Sequence, residues 1–148
     1  MVAEDTIERE IFIRAGIEHV WSLVSRTGFW IGDELQFDVE AREGQTAVID
    51  AAGRGKFPVR VERLEPPRYA AYRWASAFPG ADPAAGNSTL VEFTLVERDG
   101  GVILRLRESG FAGLGNEVFR DARRDENAAG WARQLELLRL VAEGIPAR

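Results

Sequence analysis

The C-terminal part of the chain carries the pattern that most restricts its fold. Trp131, Leu135, Leu138 and Ala142 recur at helical spacing, and Ala128, Leu137 and Val141 widen the stripe. Gly144 and Pro146 close the pattern, because glycine accepts a left-handed cap and proline cannot continue the hydrogen-bond ladder. This predicts a long helix from about Asp125 to Glu143. Most of what precedes it reads as extended chain, so this helix must supply the apolar face against which a sheet closes.

The extended segments come in order. Thr6 to Arg14 alternates as a first strand, with Ile7, Ile11 and Ile13 on one face and Glu8, Glu10 and Arg14 on the other. Phe12 breaks the alternation and is expected to pack under a neighbouring element. Ile17, Val20, Trp21 and Val24 then follow helical spacing, which predicts a short amphipathic helix; Thr27 to Gly32 allows a second helical turn ending near Trp30. From Glu34 the chain reads as an antiparallel meander: Leu35 to Arg42, Thr46 to Asp50, Lys56 to Leu64, Tyr69 to Trp74, Thr89 to Arg98 and Val102 to Ser109.

Turn chemistry separates these segments. Asp99-Gly100 supplies the positive φ angles of a tight hairpin, and neither proline of Glu65-Pro66-Pro67-Arg68 can donate to a ladder. Ala75 to Ser88 is longer than a hairpin loop and reads either as a cover for a cavity mouth or as an insertion without a role. Phe111 to Arg124 reads as a connector with some helical character. The sum is an α+β chain forming one domain over residues 1–148, a curved seven-stranded antiparallel sheet around a long C-terminal helix, with one or two short helices after the first strand.

Composition removes several functions. The net charge is −5, and Asp121, Asp125 and Glu126 interrupt the densest basic group, Arg120, Arg123 and Arg124, so no stripe suited to nucleic acid forms. The chain has no cysteine and a single histidine, His19, which excludes a disulfide framework, a thiolate nucleophile and a Cys- or His-rich metal site. Neither a signal peptide nor a membrane span is legible, and a cytoplasmic location is expected. No cofactor motif is present: Gly53-Arg54-Gly55-Lys56 lacks the spacing and the following helix of a phosphate loop.

Strand, short helix, meander and terminal helix follow the helix-grip order, and local motifs narrow it. Ile7-Glu8-Arg9-Glu10-Ile11-Phe12-Ile13-Arg14-Ala15-Gly16, leading into Val20-Trp21, resembles the opening of the activator-of-heat-shock-protein-ATPase family. That family is a branch of the START-related SRPBCC superfamily. Glu65-Pro66-Pro67-Arg68 with Ala71-Tyr72-Arg73-Trp74, the run Thr89 to Leu95, Leu104 to Phe111 ending in Ser-Gly-Phe, and Gly130-Trp131-Ala132 are similar to its later motifs. The resemblance implies a helix-grip (START-like) fold with a cavity between sheet and helix, and a link to chaperones.

Within that frame a catalytic constellation is hard to assemble. Ile17, Val20, Trp21 and Val24 turn His19 towards solvent, and no serine lies in a nucleophile elbow. In the last strand Val102, Leu104 and Leu106 share a face with Glu108, which places a carboxylate at the inner end, where Arg9 or Arg73 is an expected ion partner. Trp30, Tyr72, Trp74, Phe93, Glu108, Phe111, Trp131 and Leu135 are the candidate ligand contacts. The leading expectation is non-enzymatic binding of a small hydrophobic or amphipathic molecule, a lipid or a polyketide-like aromatic. The alternatives are a cyclase or dehydratase using Arg73, Glu108 or Tyr72 as proton handlers, and a chaperone-linked interaction module; a homodimer is compatible with each.

Overall fold

A computed structural model of the chain describes residues 5–145. Residues 1–4 and Pro146, read above as part of the helix stop, lie outside them. Strand β1 (Thr6–Ile13) leads into helix α1 (Ile17–Val24), then β2 (Thr46–Ala51), β3 (Gly55–Glu65), β4 (Tyr69–Trp74), β5 (Thr89–Arg98) and β6 (Gly101–Ser109). A short 3-10 turn (Phe111–Leu114) joins the sheet to helix α2 (Glu117–Glu143). The strands form one antiparallel sheet in the order β1-β6-β5-β4-β3-β2.

The sheet has six strands, not seven. Leu35 to Arg42 does alternate, and Ala41 is buried while Leu35, Phe37 and Val39 are half-buried. Its backbone, however, pairs with the turn after α1 instead of with a strand: Thr27 N donates to Val39 O (2.7 Å), Ala41 N to Ser25 O (2.9 Å) and Gln36 N to Phe29 O (3.0 Å). Periodicity reports which side of a segment is covered, and a ladder requires a neighbour as well. The second short helix is also absent. Residues 27–30 make turns closed by Phe29 N to Arg26 O (3.2 Å) and Ile31 N to Gly28 O (3.0 Å).

Both turns behave as read. Asp99 (φ 48°) and Gly100 (φ 80°) make the left-handed pair that joins β5 to β6, and the Glu65 to Arg68 turn contains a cis Pro66-Pro67 bond. The next residue, Gly101, is required by close approach: a Cβ there would stand 2.4 Å from Ile13 O and 2.6 Å from the Phe12 ring. Phe12 is thus held against the hairpin, half-buried, with the Arg14 guanidinium 5.5 Å from its ring centroid.

Helix α2 starts at Glu117, earlier than the sequence predicts, with the Asn116 side chain accepting from Phe119 N (2.9 Å). It ends at Gly144 in the left-handed conformation. Among residues 118–130 none is buried, whereas Trp131, Gln134, Leu135, Leu138 and Ala142 are. The second half of the helix therefore grips the sheet, and residues 118–130 are at most half-buried.

Beneath α2 the inner face of the sheet is packed with rings. Phe93, fully buried on β5, has Phe29 at 5.2 Å, Trp30 and Trp131 at 5.8 Å and Tyr72 at 6.2 Å between centroids. Tyr72 Oη donates to Val24 O at 2.7 Å, tying β4 to the end of α1. Tyr72→Phe keeps the packing and deletes that bond, so it is expected to cost about 0.5–1.5 kcal/mol in urea denaturation. A neutral result would show that water serves the Val24 carbonyl equally well.

Candidate functional site

The pleat delivers Glu108 to the inner face of β6, as the alternation of Val102, Leu104 and Leu106 requires, and the residue is fully buried. None of the ion pairs found among the described residues includes it. Arg73 lies on the opposite face of β4, 3.7 Å from Glu62, and Arg9 donates to its neighbour's carbonyl, Glu8 O, at 3.0 Å. The expected ion pair with Arg9 or Arg73 is thus replaced by uncharged donors.

Those donors come from several elements. Trp74 Nε1 at the end of β4 donates to Glu108 Oε2 (2.9 Å), and Thr89 Oγ1 at the start of β5 reaches the same oxygen (2.5 Å). Trp131 Nε1 on α2 donates to Oε1 (2.8 Å), and Asn127 Nδ2, one turn earlier, lies 3.2 Å from both oxygens. Asn127 Nδ2 also reaches Ser76 Oγ (3.1 Å), so one amide joins α2, β6 and the 75–88 loop. The loop makes a second contact with α2 through Phe78, stacked on Phe119 at 6.0 Å. The loop thus packs against α2, and none of its residues lines the cleft described below.

Burial pushes the Glu108 carboxyl above its ordinary pKa, and hydrogen bonds from Thr89, Trp131, Trp74 and Asn127 pull against that shift without cancelling it. Indole N–H groups can only donate, so two of these partners favour the ionised form; the Thr89 hydroxyl can also accept a proton from the acid. No neighbouring charge is among the causes.

In front of this cluster lies a cleft of about 130 Å³ between α2 and the sheet, walled by Trp30, Trp74 and Trp131. Asn127, Gly130 and Gln134 form its α2 side, with Arg54 and Glu126 at its polar edges. Both edge charges are paired, Arg54 with Asp33 (2.8 Å) and Glu126 with Arg123 (2.7 Å). Gln134 spends its amide on Trp30 O (2.7 Å) and Gly32 O (2.8 Å). Trp30 Nε1 is buried and has no hydrogen-bond partner.

Of the residues singled out from sequence, Trp30, Trp74 and Trp131 meet at the cleft, with Glu108 directly behind the last two. Tyr72, Phe93, Phe111 and Leu135 are core side chains outside the cleft wall. Asn127, Gln134, Thr89 and Ser76 were not singled out. A carboxylate expected on an apolar face, together with tryptophans whose N–H groups need acceptors when buried, was the available signal for such a cluster.

The sequence matches the model of the family described as activator of Hsp90 ATPase homolog 1-like protein over residues 14–143. The chain belongs to that family. No curated protein sequence matches it. Among solved structures, protein MLL2253 from Mesorhizobium loti superposes with a TM-score of 0.74 at 21% identity, over 96% of this chain and 99% of that one. The Aha1 dimer from Colwellia psychrerythraea gives 0.70 at 18% identity, over 93% and 96%. DynU16, a protein of the dynemicin biosynthetic locus, gives 0.71 at 23% identity, over 97% of this chain and 49% of its own. These likenesses establish the shared fold of the Hsp90-activator-like family: an antiparallel sheet with a long C-terminal helix. Among the described residues no helix is long and apolar enough to cross a membrane.

Proposed function

We propose that the protein binds a small hydrophobic or amphipathic molecule in the cleft between its sheet and α2, without converting it chemically. The observation that carries this reading is the wall of Trp30, Trp74 and Trp131 around a void of about 130 Å³, with one buried donor, Trp30 Nε1, left unspent. Rings supply apolar contact at little entropic cost, and a single polar group fixes orientation. The volume suits one ring or one compact head group. A longer ligand would continue over the partly exposed Phe78 and Phe119, the latter about two turns from Asn127 along α2. The place of DynU16 in the dynemicin biosynthetic locus is consistent with a small-molecule ligand.

Two of the proton handlers that an enzyme would use are committed elsewhere. Tyr72 Oη donates to Val24 O, with burial pushing its pKa well up, and Arg73 faces Glu62 on the outer side of the sheet. The third, Glu108, stands behind the indoles.

Gly130 offers a clean test. It lies mid-helix on the cleft wall, and a Cβ there meets nothing within 4 Å. Gly130→Leu places a side chain at the cleft and replaces a poor helix former, so stability is expected to hold or rise by up to about 1 kcal/mol. Naphthol and medium-chain fatty acids are expected to quench tryptophan fluorescence saturably in the native protein and to lose at least about tenfold in affinity, about 1.4 kcal/mol, in the variant. Absence of saturable quenching, or equal quenching in Gly130→Leu, would overturn the proposal.

A further inference from the structure

The charges around the cleft do not balance. Arg54 is paired with Asp33 and Glu126 with Arg123, which leaves Glu108 as a buried carboxyl with no counter-ion among the described residues. Two of the three indoles that wall the cleft, Trp74 and Trp131, donate their Nε1 protons to that same carboxyl. An indole that donates to an anion gains electron density on its ring, and electron-rich ring faces attract cations. Trp30 completes the wall, 5.6 Å from both Trp74 and Trp131 between centroids.

From this arrangement we infer that the preferred occupant of the cleft carries a compact organic cation, of the size of a trimethylammonium group, beside an oxygen acceptor. The cation meets the indole faces and the field of Glu108 behind them, and the oxygen accepts from Trp30 Nε1, a buried donor of the cleft wall without a partner among the described residues. A quaternary ammonium suits the site better than a strongly hydrated ammonium, because the wall is built mainly of indole rings, which do not replace the water that an ammonium would lose. A cation bound there stabilises the ionised form of Glu108, so its affinity must rise with pH through the titration of that group. The charged residues that line the cleft are Arg54 and Glu126, paired with Asp33 and Arg123 respectively.

The inference rests on the cleft reading given above, and its test separates the two. Choline would be compared with the neutral alcohol in which a tert-butyl group replaces the trimethylammonium; shape and hydroxyl are retained and only the charge is lost. Binding would be followed by calorimetry and tryptophan fluorescence. With Glu108 ionised, choline is expected to bind at least about tenfold more tightly than the alcohol, and titrations at about pH 8 and about pH 5 are expected to show a smaller preference at the lower pH. Glu108→Gln is expected to abolish the preference of choline over the alcohol. Should that variant fail to fold, the pH dependence in the native protein decides the matter alone. Equal affinity for both probes at both pH values overturns the cation and leaves the cleft as an apolar site. No binding of either probe overturns the cation as well, and the naphthol titration with Gly130→Leu then shows whether the cleft reading falls with it.

Discussion

Phe93→Ala is expected to destabilise the fold by about 3–5 kcal/mol in urea denaturation. Phe93 is fully buried at the point where the α1 end, the sheet and α2 converge, with Phe29, Trp30, Tyr72 and Trp131 around it. Those neighbours are held by bonds of their own, among them Tyr72 Oη to Val24 O and Trp131 Nε1 to Glu108 Oε1. They cannot collapse freely into the space left, so the cost includes the cavity as well as the lost transfer energy. Phe78→Ala provides the contrast. That ring is partly exposed on the 75–88 loop, touching Phe119, and its loss is expected to cost about 1 kcal/mol or less. A Phe93→Ala cost near that of Phe78→Ala would show that the inner face of the sheet is loosely filled.

The second large effect depends on pH. Trp131→Phe keeps an aromatic ring but removes the Nε1 donor 2.8 Å from Glu108 Oε1, leaving Asn127 at 3.2 Å as the remaining donor to that oxygen. A hydrogen bond to an ionised group contributes about 1.5–3 kcal/mol, and the smaller ring adds a packing loss, so about 2–4 kcal/mol is expected where Glu108 is ionised. The sign of the pH effect follows from linkage. The Glu108 carboxyl is already raised in the folded state, so its contribution to stability is fully present below the unfolded glutamate pKa and is lost as pH rises through the folded value. Removing a donor raises the folded value further and enlarges that loss. Denaturation at about pH 5 and about pH 8 should therefore show a smaller penalty for Trp131→Phe in acid. An equal penalty at both pH values would mean that Glu108 does not change its protonation between them.

Features set by local chemistry were legible in the sequence. Asp99-Gly100 and Pro66-Pro67 fixed two turns because their backbone preferences are intrinsic, and the pleat alone placed Glu108 inward. The segment from Leu35 to Arg42 misled because half-burial and ladder pairing produce the same alternation. The early turns of α2 went unread because Arg120 to Glu126 is charged on every face and carries no apolar stripe. At the site the three tryptophans were legible as ring surface, but not as donors. Trp74 and Trp131 are separated by a long stretch of chain, and only tertiary packing brings their N–H groups to one carboxyl. The expected arginine partner failed for a related reason. Alternation that turns Tyr72 and Trp74 inward turns Arg73 outward, towards Glu62.

The indole N–H signals of a nitrogen-labelled sample would test the cleft most directly. The chain has four tryptophans, each assignable by a single Trp→Phe variant. Trp30, Trp74 and Trp131 wall the cleft, while Trp21 sits on α1 outside its lining. On addition of naphthol the signals of Trp30, Trp74 and Trp131 should move together in a saturable way while that of Trp21 stays fixed. If all four signals stay fixed, or that of Trp21 alone moves, the cleft between sheet and α2 is not the binding site.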